Sequence, residues 1–156
     1  MFDITIIAIG KLKEKYFQAA FSEYAKRLRP YARLKIVELP AAPFSKLSQA
    51  KAKEAEGQRI INFLESKNKG ASCPAVYLLA ERGKSFDSQS LASWLDKNQP
   101  LTLIIGGALG FSPMLYEKYP QISLSPLTFP HELARVVLLE QLYRAATIIN
   151  NKEYNY

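Results

Sequence analysis

A chain of 156 residues, 48% hydrophobic and 22% charged, is long enough for one domain with a substantial core and ordinary in composition for a globular protein. Its single cysteine, Cys73, excludes an internal disulfide framework and suits a reducing cytosol. The opening apolar run is too short for a membrane span and no charged segment precedes it, so the reading is cytoplasmic, with no signal peptide, transmembrane helix or membrane partner.

The net charge of +7 is unevenly placed. Residues 1–72 hold 14 Lys and Arg against 7 Asp and Glu, whereas residues 73–156 hold 7 of each. A polyanionic partner such as RNA or DNA would use that surplus, and a solvated basic face accounts for it equally.

Strand and helix signals alternate along the chain. Asp3 to Ile9 is a β-branched run that stops at Gly10. Tyr16, Phe17, Ala20, Phe21, Tyr24 and Leu28 recur at helical spacing, which predicts an amphipathic helix from Glu14 to about Arg29, ended by Pro30. Its aromatics serve either core packing, the preferred reading, or base stacking. Leu34 to Leu39 alternates like a strand and stops at Pro40. A loop from Ala41 to Leu47 follows, then a helix to about Lys67 that Ser45 or Ser48 caps. Lys46, Lys51, Lys53 and Arg59 make this segment basic enough for phosphate contact. After a turn-rich link, Ala75 to Ala80 is an apolar strand with Glu81-Arg82-Gly83-Lys84 at its carboxyl end. Ser88 opens a helix to about Asn98 that buries Leu91, Trp94 and Leu95.

The organising stretch comes next. Leu101 to Ile105 reads as a fully buried strand and breaks at Gly106-Gly107, with Gly110 beyond. Glycines there let backbone approach a ligand closely, at the strand end where open α/β sheets bind ligands. Ser112-Pro113 opens a short helix to Lys118. Ile122 to Leu124 is a short strand that enters the loop Ser125 to Pro130, and a helix runs from His131 to about Ile149. That last helix is apolar nearly all round, which predicts burial on every side and, at the end of so small a domain, a partner subunit over its outer face. The βαβα order argues for one α/β domain with a mostly parallel sheet and helices on both faces.

Common catalytic signatures are missing: no phosphate-binding loop, dinucleotide fingerprint, nucleophile elbow or Cys/His metal spacing. His131 is the only histidine and reads as structural at a helix start, and Cys73 reads as inert. The combination IIGGALGFS, SLSPLTFPHELARVVLLEQLYRA and EYNY nevertheless resembles the RlmH family of SPOUT methyltransferases. The likeness extends to IAIGK, EYAKRL and LAERGK, and so to nearly the whole chain.

That resemblance implies several things that composition and spacing do not. It implies a C-terminal trefoil knot, although knots are nearly absent from proteins in general. It implies S-adenosyl-L-methionine held by Leu79, by Gly106 and Gly107, and by Leu124, Ser125, Pro126, Leu127, Thr128 and Phe129, with no metal. It implies a homodimer whose second subunit completes the site, and methylation of N3 of a pseudouridine in large-subunit ribosomal RNA. Arg144 and Tyr154 would be catalytic, with Asn155 standing where the family has the histidine of a Pro-Tyr-His tail. Asparagine cannot shuttle a proton near neutral pH as imidazole does. Ala80 likewise replaces a common Asp. Arg135, Lys46, Lys51 and Lys53 would contact RNA in the large subunit or assembled ribosome. Arg144 has a second reading, an ion pair with Glu140 at i−4. Two other functions stay open: a methyltransferase of this fold with another RNA target, and a catalytically impaired ribosome-associated RNA binder.

Overall fold

The computed structural model describes residues 1–45, 48–67 and 73–154; Lys46 and Asn155 therefore lie outside the described residues. Ten elements follow in order: β1 (Phe2–Ile9), α1 (Lys15–Leu28), β2 (Ala32–Leu39), α2 (Gln49–Lys67), β3 (Ala75–Ser85), α3 (Ser88–Lys97), β4 (Leu101–Ile105), α4 (Pro113–Lys118), β5 (Gln121–Ser123) and α5 (His131–Ile149). The strands form one sheet in the order β2-β1-β4-β3-β5, with all four pairings parallel.

Strands buried on both faces read as near-continuous apolar runs, and β1 and β4 do so apart from Asp3, Thr5 and Thr102. Ile4, Ile6, Leu101, Leu103 and Ile105 enter the core beneath α1, α3 and α5. Ile7, Ile9, Leu78 and Ile104 enter the core beneath α2 and α4. The period of two thus divides each strand between two layers of helices. α5 packs against both α1 and α3, and Leu138, Leu139, Leu142, Ala145 and Ala146 are fully buried against the first core. Leu133, Val136 and Val137, on its remaining face, stay half-buried in the isolated chain.

Local signals explain the helix starts. Ser48 Oγ accepts from the Lys51 N–H at 3.2 Å and so caps α2. Asp87 caps α3 in a reciprocal box with Ser90, which holds two otherwise orphaned N–H groups. α4 begins as expected, with Ser112 before a proline at its first position.

Two expectations change. The aromatics of α1 divide: Phe21 and Tyr24 pack against the core, but Tyr16 is 65% exposed. And Glu81-Arg82-Gly83-Lys84 is not a loop beyond a strand end, because β3 continues to Ser85. Leu79 and Lys84 both pair with Ile122 of β5, with a register shift between them. Gly83 then lies against the β5 backbone, where an added Cβ would stand 2.6 Å from the Ile122 carbonyl carbon. Only glycine allows that approach.

Candidate active site

The middle of β3, at Leu79 to Glu81, and the carboxyl ends of β4 and β5 open into a cleft of about 670 Å³, within the range of small-molecule sites. Its floor is the loop after β4. Gly107 and Gly110 pair across a tight turn, with the Gly110 N–H donating to the Gly107 carbonyl at 3.1 Å. Gly110 sits at φ +77°, a conformation that L side chains rarely adopt. Gly106 has the Phe111 ring against it, 3.3 Å from where a Cβ would be.

Behind Gly107 lies Glu56 of α2, buried to 6%. Its Oε1 accepts the Ala42 N–H at 3.1 Å, and its Oε2 has no hydrogen-bond partner among the described residues. A Cβ on Gly107 would stand 3.2 Å from that oxygen and 3.0 Å from Ile9 Cγ2. The glycine pair therefore presents backbone to the cleft because two neighbouring elements fill the space behind it.

The opposite wall is the loop after β5. Ser123 Oγ donates to the Ser125 carbonyl at 2.9 Å, and Ser125 Oγ accepts the Leu127 N–H at 3.1 Å. Two serine side chains thus hold the loop in shape, in the manner of short polar residues at turns. Leu79, Gly106, Gly107, Leu124, Ser125, Leu127, Thr128 and Phe129 all line the cleft. Pro126 is exposed and is not among the lining residues. Leu127 is 70% exposed, an apolar flap at the rim.

Sequence reasoning missed three side chains that line the same space: Phe111, Tyr116 and His131. His131, read as structural, is half-buried in that lining. Burial, with the Arg135 charge second, holds its imidazole below the ordinary value, so it is neutral at neutral pH. Tyr116 meets Phe111 edge-on at 5.7 Å between ring centres.

Arg135 requires a correction. It is 2% exposed and points inward under the first turn of α5. Nη1 pairs with Glu38 Oε2 at 2.7 Å, and Nη2 donates to the Gly10 and Ile9 carbonyls at 2.7 and 3.3 Å. A guanidinium so enclosed has no face for an RNA phosphate. It fastens α5 to the carboxyl ends of β1 and β2. Lys51 is exposed and Lys53 half-buried, both in the first turn of α2.

Arg144 and Tyr154 meet each other, but not at the cleft. Arg144 Nη2 pairs with Glu140 at 2.5 Å, and its guanidinium carbon lies 5.1 Å from the Tyr154 ring centre. The Tyr154 hydroxyl donates to Glu140 Oε1 at 3.2 Å, and its ring meets Tyr143 edge-on at 4.6 Å. Burial first, then hydrogen bonding to Tyr24 and the Glu140 charge, push the Tyr154 phenol well above its ordinary range. It keeps its proton and acts as a donor. At about 1.5 Å per residue along a helix, Arg144 stands roughly 20 Å from His131.

The comparisons decide the family. A family model described as "Predicted SPOUT methyltransferase" matches residues 2–155. The chain belongs to the SPOUT methyltransferases. It is 44% identical to the "Ribosomal RNA large subunit methyltransferase H" of Limosilactobacillus reuteri (strain DSM 20016), over 98% of this chain and 99% of that one. It is 40% identical to the protein of the same name from Gloeobacter violaceus, over 98% of each chain. Among solved structures, TrmJ from Z. mobilis ZM4 matches 94% of this chain and 70% of its own, with a TM-score of 0.52 at 11% identity. That likeness shows the fold alone. The recognised family, the α/β class with a parallel sheet and helices on both faces, and methyltransferase activity thus stand together. Among the described residues, no helix is long and apolar enough to cross a membrane, and no group of three or more His, Cys, Asp or Glu is arranged to hold a metal.

Proposed function

We propose that this chain is an S-adenosyl-L-methionine-dependent methyltransferase that modifies N3 of a pseudouridine in large-subunit ribosomal RNA, working in the cytoplasm as a homodimer of single-domain subunits. The observation that carries the reading is the cleft itself, where the β4 glycines and the β5 loop converge on the residues that the resemblance assigns to the cofactor. The residues fit such a group: two glycines leave backbone bare on one side, and Leu79, Leu124 and Leu127 offer apolar walls on the other. When bound, the cofactor supplies an electrophilic methyl on a sulfonium.

The chain's own contribution is position and charge. Neutral His131 keeps like charge away from a cationic donor in the cleft. Tyr154, protonated, orients the base through its hydroxyl or its face, and Arg144 beside it stabilises the uracil anion left as the N3 proton departs. Since both lie at the other end of α5 from their own cleft, a second copy brings them to it. The half-buried Leu133, Val136 and Val137 of α5 support that pairing, because a second subunit would cover them. We also infer the family's trefoil knot, supported by the offset of β3 against β5 and by the return of α5 between α1 and α3.

The test is transfer of labelled methyl to large subunits that carry the pseudouridine without its methyl group. Incorporation at N3 is expected. Incorporation at another base would move the target, and none despite cofactor binding would leave an RNA binder.

A further inference from the structure

The loop from β1 into α1 presents three lysines and a tyrosine on an immobilised backbone. The Gly10 N–H donates to the Leu39 carbonyl at 2.7 Å, and the Gly10 carbonyl accepts from Arg135. The Leu12 N–H donates to Glu38 Oε2 at 3.0 Å, the same carboxylate oxygen that Arg135 holds. The Lys13 N–H and the Glu14 N–H both donate to Glu132 of α5, the latter at 3.1 Å. The Leu12 and Lys13 carbonyls accept from the Gln18 side chain at 2.7 and 3.3 Å. Side chains from α1, β2 and α5 thus hold most of this backbone, and ordering it for a ligand costs less further entropy.

From it Lys11, Lys13 and Lys15 project into solvent. None of the three takes part in a salt bridge among the described residues. Tyr16 beside them is 65% exposed, its ring braced edge-on by Phe17 at 4.6 Å between centres. The position matters as much as the charge: Glu132, which holds Lys13 and Glu14, directly follows His131 of the cleft lining.

We propose that Lys11 to Tyr16 is a preformed clamp for single-stranded RNA at the rim of the cleft, with the lysines on successive phosphates and Tyr16 under a base. This rests on the RNA-methyltransferase reading above and names the part of the chain that grips the substrate next to the target nucleotide. Single-stranded RNA is the fitting occupant because an exposed aromatic needs an unstacked base, and lysines alongside it supply the sequence-independent attraction. The ion pair of buried Arg135 with Glu38 is then the clamp's foundation.

The experiment uses the full-length protein and a fluorescein-labelled, uridine-rich 12-nucleotide RNA, titrated over a range of salt. Each lysine on a phosphate contributes about 0.7 to the slope of log affinity against log salt on single strands. Replacing Lys11, Lys13 and Lys15 together by alanine should lower that slope by about 2 and weaken binding at least tenfold at low salt. Tyr16→Ala should cost roughly five- to a hundredfold with the slope unchanged. Calorimetric affinity for S-adenosylmethionine should stay within twofold in both, which shows the fold and cleft intact. A triple alanine variant at Lys26, Lys67 and Lys97, in the last turns of α1, α2 and α3, changes net charge equally and should keep the wild-type slope.

Equal loss in the two triple variants would reduce the effect to net charge and overturn the clamp. Tighter binding of the matching duplex would overturn the single-strand assignment. The two readings fail separately. Methyl transfer to ribosomal RNA with an unaltered KM in the Lys11/Lys13/Lys15 variant would remove the clamp alone. Loss of slope in that variant, with no methyl transfer by wild type, would remove the enzyme reading alone.

Discussion

Near its start α5 is anchored by charge placed against backbone: Arg135 holds the Ile9 and Gly10 carbonyls and Glu38, while Glu132 holds the N–H groups of Lys13 and Glu14. Towards its last turns the contacts are rings and a partly solvated ion pair, with Tyr143, Tyr154, Arg144 and Glu140 gathered on one another. The first arrangement ties the helix start to two strands and a loop through charge-assisted bonds, the kind of rigid support that a binding cleft requires. The second holds an aromatic patch on a surface, from which groups can reach a neighbour. One end of the helix borders the cleft, and the other gathers Tyr154 and Arg144 away from it.

Substitutions can break or sharpen that contrast. The largest effect should come from Gly83→Ala beneath the cleft, where backbone 2.6 Å from the new Cβ cannot yield. A loss on the order of 3 kcal/mol is expected from urea unfolding, and wild-type stability would mean that β3 and β5 separate easily. Arg135→Met should cost about 2 kcal/mol, mainly through the two carbonyls left unpaired, while leaving the direct phosphate count unchanged. Gly107→Ala should weaken the cofactor roughly tenfold, about 1.4 kcal/mol, since Ile9 and Glu56 leave a methyl no room; calorimetry reads this directly.

At the far end, Tyr154→Phe removes the hydroxyl's bonds to Glu140 and Tyr24 and should cost about 1 kcal/mol. Cofactor affinity should be unchanged while methyl transfer falls, so a parallel loss of both would merge the two ends into one site. The smallest effect is a pH dependence. His131 has a lowered value in the fold, so the unfolded chain binds its proton more readily. Its contribution to stability is full above the ordinary imidazole value of 6.5 and falls as pH drops below it towards the folded value. Comparing urea midpoints at neutral and mildly acidic pH, wild type against His131→Asn, should isolate that slope.

Much of the cleft is legible in the sequence because its cause is local. A β-branched run that breaks at two glycines, and a Ser-Pro-Thr loop before a long helix, mark strand ends without knowledge of neighbours. The family resemblance, with the match over residues 2–155, adds the fold. What stays illegible is decided across distance. Arg135 meets Glu38 from 97 residues away, so on a helical wheel it looks like any surface base. β3 outruns its apolar pattern because β5 offers a second pairing to Lys84. Glu56 looks like one more charge on α2, yet its carboxylate backs Gly107.

The central claim is that the two ends of α5 meet across two copies, and complementation tests it most directly. A Gly107→Trp variant, blocked at the cleft, and a Tyr154→Ala/Arg144→Ala variant, stripped at the tail, should each be inactive alone on large subunits lacking the methyl group. Co-folded in equal amounts, random pairing of identical-fold subunits should restore about a quarter of wild-type methyl transfer, because half the dimers carry one intact composite site. Mixed dimers that form and stay inactive would contradict the account and return the chemistry to a single chain.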